Sequence, residues 1–365
     1  MEAVVHREPA VPEDPLRAGL VGYGLAGSAF HAPLIEATPG LRLASVVTSR
    51  PERAERVREE HPHARVLPDV RELLADAGSH DLIVVASPNS THVPFGLAAL
   101  EAGLHVVVDK PLAGSVADAR RLVSAAAEAP GLVCAVFHNR RWDGHVLTLR
   151  RLLREGALGE LWRLESRLDR WRPRVQAGAW REDAVAGTAG GALFDLGPHL
   201  IDGALWLLGP AVRVYAEVDR RREGAAVDDD FFVAVTHSSG ARSHLSAGLA
   251  AAQAGPRLRA LGSQAAYVKW GIDPQEAALR GGERPDAPGF GREDPADWGT
   301  LGAGDAAAPV ETEAGRYLSF YEEMEHAIRA GGPPPVPLEA GVATLEVIEA
   351  AFESARSGRT VALGG

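Results

Sequence analysis

Two hydrophobic patterns divide the chain. Up to Phe137, short and almost wholly apolar runs alternate with segments whose apolar residues recur every three to four positions. The runs are Leu16–Val21, Arg42–Thr48, Leu82–Ala86, His105–Val108 and Leu132–Phe137. Such runs suit strands buried on both faces, as in a parallel sheet. The segments between them predict helices over Ser28–Thr38, Pro51–His61, Val70–Ala77, His92–Ala102 and Ser115–Ala129. Pro51 opens the second of these, Gly103 closes the fourth and Ser115 is placed to cap the fifth. The alternation predicts a doubly wound α/β domain.

The pattern then changes. Val146–Glu155 reads as a helix, Leu161–Arg170 alternates like a half-exposed strand, and a helix centres on Leu200–Leu208. Strand candidates follow one another at Val212–Val218, Phe231–Thr236, Ser243–Leu249, Arg257–Leu261 and Ala266–Trp270. Strands without helices between them predict an α+β domain with an antiparallel or mixed sheet. Residues 271–310 are rich in Gly, Pro, Asp and Ala and read as a long loop or arm. Arg316–Ala330 and Leu338–Ser357 read as amphipathic helices. The expected division is a loose tail over 1–15, a dinucleotide-binding domain over 16–138 and a second domain over 139–365.

Composition narrows the class. The chain has 365 residues, 46% hydrophobic and 24% charged, and a net charge of −11. That size suits about two domains, and no basic cluster points to nucleic acid. No segment is long and apolar enough for a membrane span, and residues 1–15 lack the apolar core of a signal peptide, so a cytoplasmic protein is expected. The single cysteine, Cys134, sits in an apolar run and reads as a core residue. The run Asp228-Asp229-Asp230 reads as a solvated turn.

The first strand runs into Gly22-Tyr23-Gly24-Leu25-Ala26-Gly27 and then a helix. In a G-x-G-x-x-G turn the first glycine permits the bend, the second lets backbone approach a pyrophosphate, and the third lets helix and strand pack closely. The helix N-terminus adds N–H groups and positive dipole. A simple glycine turn is the plain alternative, but the strand–turn–helix context favours a dinucleotide site. The second strand ends in Thr48-Ser49-Arg50, without the acidic residue that would bind a ribose 2′-OH. Arginine can instead grip a 2′-phosphate, so NADP is expected over NAD, with NAD still open. Ser87-Pro88-Asn89-Ser90-Thr91-His92 ends a third strand with small polar residues suited to ribose and phosphates, or to capping a helix.

His105–Val108 leads into Asp109-Lys110-Pro111. A lysine at the carboxyl end of a parallel strand lies where ligands bind such sheets, and proline stiffens the backbone beside it. Taken alone it also reads as an ordinary strand end. Later, Asp195 and His199 are four residues apart and share a face if one helix includes both. Histidine suits acid–base work near neutral pH, and a carboxylate can orient it. Otherwise Asp195 is an N-cap and His199 a structural histidine. One His and one Asp do not make a metal ligand set, so no metal is expected.

These three motifs, in this order, resemble the Gfo/Idh/MocA oxidoreductase family, with its G-x-G-x-x-G, (E/D)-K-P and D-x-x-x-H. Asp109 stands where glutamate is commoner. That variant, the stretch Phe137-His138-Asn139-Arg140-Arg141-Trp142-Asp143 and the stretch Asp273-Pro274-Gln275-Glu276 are similar to the NADP-dependent scyllo-inositol dehydrogenase branch. His145 departs from it, since an acidic residue is expected near that position.

The resemblance implies a Rossmann domain followed by a domain with an open, mainly antiparallel sheet, whose exposed face forms a homodimer or homotetramer. It implies Lys110, Asp195 and His199 as catalytic residues and a cis peptide before Pro111. The implied reaction is reversible oxidation of a secondary alcohol on a cyclic polyol or sugar. His199 would be the first choice of base, oriented by Asp195, and Lys110 would stabilise the oxygen or itself share or take over the proton transfer. Cofactor contacts are expected from Gly22, Gly24, Leu25, Ala26, Gly27, Thr48, Ser49, Arg50, Ser87, Pro88, Asn89, His92, Asp109 and Lys110. Substrate contacts are expected from Asn139, Arg141, Trp142, Arg170, Trp180, Asp195 and His199, with Trp171 a further candidate. Other readings are a cofactor-dependent glycosidase of the same fold, and a non-catalytic NADP-binding sensor.

Overall fold

The computed structural model describes residues 14–175 and 189–364. The first sheet holds β1 (Leu16–Val21), β2 (Leu41–Val47), β3 (Arg65–Leu67), β4 (Leu82–Val85), β5 (His105–Asp109) and β6 (Cys134–Phe137). All neighbours are parallel, in the order β3-β2-β1-β4-β5-β6. The order reverses between β1 and β4, which opens a crevice at the carboxyl ends of the strands. Ile83, Val84, Val106, Val107 and Val108 are wholly excluded from solvent. That two-sided burial is why these runs are apolar without alternation. β3, at three residues, is too short to leave a hydropathy signal, and the sequence does not predict it.

Helices α1 (Ala32–Ala37), α2 (Pro51–Glu60), α3 (Val70–Ala75), α4 (His92–Glu101) and α5 (Val116–Ala127) accompany this sheet. The first predicted helix is entered through a π-helical turn, Gly27–His31. Ser115 caps α5 as expected, accepting a hydrogen bond from the Asp118 N–H. Cys134 is buried, and burial pushes its thiol up to about 12.

The second sheet has nine strands: β7 (Leu161–Arg167), β8 (Ala211–Asp219), β9 (Asp230–His237), β10 (Arg242–Gly248), β11 (Leu258–Gly262), β12 (Ala266–Lys269), β13 (Gly299–Gly302), β14 (Ala308–Val310) and β15 (Val361–Ala362). Its order is β14-β13-β12-β11-β7-β10-β9-β8-β15, and among the described residues only β7 and β10 pair in parallel. The helices here are α6 (Gly144–Arg154), α7 (Ala192–Asp195), α8 (Gly197–Leu208), α9 (Gln275–Arg280), α10 (Leu318–Ala330) and α11 (Leu338–Ser357). α8 and α11 pack against the sheet and against each other. In β8, Val214 and Ala216 are buried while Arg213, Tyr215 and Glu217 are exposed, the period-two pattern of a sheet covered on one face.

α11 also reaches back to the first domain. Glu349 accepts from the Val116 N–H at 2.8 Å, and Glu346 pairs with Arg120 at 2.6 Å. Gly341 lies so close to Leu112 that a Cβ there would come within 2.8 Å of its side chain. The segment after Lys110 is therefore backed by the C-terminal helix.

Two expectations need correction. Residues 271–310 are not a structureless arm, because they form α9, β13 and β14. Short elements with few apolar residues escape a periodicity search. Asp228-Asp229-Asp230 is not a solvated turn either. Asp229 is fully buried, accepts from Arg222 Nε at 2.8 Å, and also accepts the N–H groups of Arg221 and Arg222. The expected tail falls mostly outside the described residues.

The Arg222–Asp229 pair yields a stability prediction. Arg222→Met leaves a buried carboxylate without its cation and should lower unfolding free energy by about 3–5 kcal/mol. Denaturant unfolding measures this, and adding Asp229→Leu should recover much of the loss. A single mutant as stable as the parent would contradict the argument.

Candidate active site

The glycine turn is shaped as a cradle. Gly22 has φ +102°, and a Cβ there would lie 2.6 Å from the Ala86 oxygen. A Cβ on Gly27 would overlap the Gly22 carbonyl oxygen. At Gly24 the nearest atom to an added Cβ is Arg53 Nη1, at 3.7 Å. Two glycines are thus required by close packing, while the middle one faces room. That difference fits a backbone that must approach a pyrophosphate.

A groove of about 590 Å³ follows from this turn across the strand ends. Gly22, Gly24, Leu25, Ala26, Thr48, Ser49, Arg50, Ser87, Pro88, Asn89, Asp109 and Lys110 line it. The groove brings together nearly all the expected cofactor residues. Gly27 shapes it from behind. His92 does not line it: the ring is buried, with Nδ1 2.8 Å from the Pro111 oxygen and Nε2 2.9 Å from the Ser87 oxygen. A neutral imidazole carries one N–H, so the ring donates to one of these carbonyls and lies between the two loops from beneath. This corrects its assignment as a cofactor contact.

Arg53, which the sequence reading passed over, lines the same groove one helical turn beyond Arg50. Burial and the like charge of Arg50 hold its pKa below the ordinary arginine value. Two cations thus stand at the end of β2: Arg50 lies 3.9 Å from Glu52, and Arg53 has no ion-pair partner among the described residues. The signal was present in Arg50-Pro51-Glu52-Arg53, since positions three apart share a helix face.

Leu25, Ala26, Asp109 and Lys110 also line a second cavity of about 220 Å³, so groove and cavity share a wall. The Lys110–Pro111 peptide is cis, as the resemblance implied. Asp109 folds back to accept the Lys110 N–H at 2.8 Å, and its carboxylate lies 4.0 Å from His31. Burial lowers the His31 pKa to about 4. Lys110 Nζ donates to the Asp195 carbonyl at 2.7 Å and to its carboxylate at 3.1 Å. An ammonium has three protons, so these bonds leave one for another acceptor.

Asp195 ends α7, and α8 begins two residues later with Pro198 in its first turn. Pro198 lacks an N–H and opens a helix without loss. Asp228 supports this junction: its carboxylate accepts the Leu193 N–H at 2.7 Å and its carbonyl accepts that of Ala192 at 2.8 Å. Burial pushes Asp228 up to about 6. His199 lines the cavity. Burial, then Lys110, Arg140, His138 and Arg170, holds its pKa well below the usual histidine value. Its Nδ1 has no hydrogen-bond partner among the described residues. The expected Asp195–His199 pairing is therefore corrected. Asp195 turns to the lysine, which offers a full charge, and His199 sits neutral among cations.

The expected substrate residues separate. Asn139, Arg170, Asp195 and His199 line the cavity. Arg141 does not: its guanidinium forms a two-pronged pair with Asp202, at 2.9 and 2.7 Å, and lies over Trp206. Trp142 is buried edge-on against Phe320. Trp171 is 61% exposed, away from the site, and Trp180 lies outside the described residues. The neighbour of Arg141 takes its place. Arg140 lines the cavity and is held by Glu276 at 2.6 Å and Asp143 at 3.4 Å. Asp273 accepts the Gly144 N–H at 2.6 Å, and Gln275 binds the Trp142 carbonyl and the Tyr317 N–H. The stretches 137–143 and 273–276 thus meet as one buried network. Burial beside Asp143 raises Asp273 to about 7. His145 is buried within this network rather than facing the cavity. Among the described residues, no group of three or more His, Cys, Asp or Glu is arranged to hold a metal ion.

The fold and the paired groove and cavity define a dinucleotide-dependent dehydrogenase. Comparison with known proteins gives its family. Residues 16–138 match the NAD-binding Rossmann-fold model of the Gfo/Idh/MocA oxidoreductases, and 150–363 match the family's C-terminal alpha/beta domain. The chain belongs to this family. It is 35% identical over 354 residues to the Bacillus subtilis scyllo-inositol 2-dehydrogenase (NADP(+)) IolW, covering 96% of each chain. It is 41% identical over 354 residues to the uncharacterised Escherichia coli oxidoreductase YdgJ, covering 96% of this chain and 99% of the other. A solved Bacillus subtilis oxidoreductase, yvaA, superposes with a TM-score of 0.90 at 35% identity, over 98% of this chain and all of that one.

The glycine cradle predicts a contrast. Gly27→Ala should destabilise the first domain. Gly24→Ala should keep the parent's thermal midpoint yet weaken dinucleotide binding at least about ten-fold, because the methyl enters the space kept for the pyrophosphate. Fluorescence titration with NADPH and thermal unfolding check both, and unaltered affinity in Gly24→Ala would count against the placement.

Proposed function

We propose that the chain catalyses NADP-linked, reversible hydride transfer at a secondary alcohol of a cyclic polyol or sugar. The observation that carries this is the Lys110 ammonium, with one proton uncommitted, in the same cavity as a neutral His199, where that cavity shares a wall with the dinucleotide groove. The bound dinucleotide supplies the hydride acceptor or donor. Arg50 and Arg53 support NADP, because a 2′-phosphate answers two cations and a 2′-OH does not. The polyol reading draws on the names of relatives: IolW for scyllo-inositol, and an Escherichia coli protein, 32% identical over 205 residues, called D-glucoside 3-dehydrogenase.

In this mechanism the substrate hydroxyl lies between Lys110 and His199. His199 accepts the hydroxyl proton, as a neutral imidazole can. Lys110 donates its third proton to the same oxygen and stabilises the negative charge that develops there. Asp195 holds the ammonium in place through two bonds. Asn139 and Arg140, the latter fixed by Glu276, remain for the other hydroxyls. The boundary near residue 138 separates the cofactor-binding part from the substrate-binding part. We take the protein to be a cytoplasmic homodimer or homotetramer whose outer sheet face, around Tyr215, forms the interface. Among the described residues, no helix is long and apolar enough to cross a membrane.

Lys110→Met should retain NADPH binding while turnover falls about 10²–10⁴-fold, the usual contribution of a positioned acid–base group. Stopped-flow absorbance with inositols and aldoses measures it, and near-parental turnover would remove Lys110 from the mechanism. Arg50→Ala with Arg53→Ala should weaken NADPH at least about ten-fold more than NADH, since only the former carries the 2′-phosphate. Equal losses in calorimetric titrations would refute the NADP assignment.

A further inference from the structure

The cavity holds more positive charge than its own carboxylates answer. Beyond β7 the chain continues as Asp169-Arg170-Trp171-Arg172-Pro173. This stretch stays extended beside the end of β10: Arg170 N–H donates to the Gly248 carbonyl at 2.8 Å, Arg172 N–H to that of Leu249 at 2.7 Å, and Ala251 N–H to that of Arg170 at 3.1 Å. In extended backbone, alternate side chains share a face. Arg170 and Arg172 accordingly both line the cavity, while Trp171 between them points to solvent. Arg222 fixes the strip from behind, donating to the carbonyls of Arg172 and Arg174 at 3.4 and 3.3 Å.

The other cations of the cavity have carboxylate partners. Lys110 has Asp195, Arg140 has Glu276 and Asp143, Arg222 has Asp229, and Arg280 lies 3.8 Å from Glu276. The guanidinium groups of Arg170 and Arg172 make no ion pair or side-chain hydrogen bond among the described residues. Arg170 is partly buried, and Arg172 stands at the rim. An arginine cannot shed its charge, and its planar fork matches a carboxylate or phosphate. A neutral polyol would leave both forks facing hydroxyls.

We infer that the substrate is an acidic polyol or sugar, bearing a carboxylate or phosphate ester that Arg170 and Arg172 bind. The inference rests on the dehydrogenase reading above, and narrows its substrate class. It also gives the alternating Arg-Trp-Arg strip a purpose, since neither guanidinium pairs with a carboxylate among the described residues.

The test compares D-glucuronate and myo-inositol 1-phosphate with D-glucose and myo-inositol, using NADP⁺ and the full-length protein. The expected result is a kcat/KM for at least one acid about ten-fold or more above that of its neutral parent. Whichever acid shows the preference tells carboxylate from phosphate. In Arg170→Gln that ratio should fall at least about ten-fold, mostly through KM, and Arg170→Lys should restore part of it. Arg172→Gln serves as a second variant should Arg170→Gln fold poorly. Calorimetric binding of the same four compounds to NADPH-loaded Lys110→Met gives a readout independent of turnover. Acid binding that depends on Arg170, without turnover of any compound, would uphold the anion site and sink the dehydrogenase reading. Turnover of neutral polyols with no Arg170-dependent preference for either acid would overturn the inference alone. Absence of acid binding in every protein would overturn it as well.

Discussion

The bond from Lys110 to Asp195 is the contact on which the site depends. It joins the end of a strand in the first sheet to the junction of two helices in the second domain. An ammonium largely withdrawn from water needs acceptors. Here one residue supplies two, a carbonyl and a carboxylate. For the carbonyl to be available, the helix must end at Asp195, which it does before Pro198 starts the next. The surroundings then serve this contact. His92 braces the backbone after Lys110, α11 backs Leu112, and Asp228 holds the first turn of α7.

The electrostatics of the cavity are opposite in sign to the protein as a whole. The chain carries −11 overall, yet Lys110, Arg140 and Arg170 all push His199 toward its neutral form. Net charge therefore says little about the substrate, because short-range fields inside a partly dry cleft outweigh those of solvated side chains. The same reasoning applies at the end of β2, where Arg50 and Arg53 bring two cations to the groove of an acidic protein.

How much of this was legible in the sequence follows from how local each signal is. The parallel strands, the glycine turn and the cap at Ser115 depend on neighbours within a few residues, and hydropathy and turn chemistry reveal them. Placement in the site depends on distant partners. Arg140 and Arg141 are adjacent, and nothing local distinguishes them. Asp202, sixty-one positions on, draws Arg141 away, while Glu276 holds Arg140 at the cavity. Asp229 looked solvated until folding brought Arg222 against it. The 273–276 stretch was singled out by resemblance but lay in an apparent loop, because its role is to hold the turn before α6 rather than to bury apolar surface. Asp195 and His199 both line the cavity, yet their spacing alone could not show that the carboxylate turns to the lysine.

That last difference bears on the chemistry. Had Asp195 paired with His199, it would have favoured the imidazolium and left Lys110 as the natural base. With Asp195 bonded to Lys110 instead, the cations around His199 oppose its protonation. Under the proposed reaction, the lysine is thus suited to donate throughout and the histidine to receive. In that reaction one group donates to the alcohol oxygen and the other receives its proton, and of the two it is the donor that Asp195 bonds. A proton arriving on His199 would be resisted by the same cations, so it must leave readily once the hydride has moved.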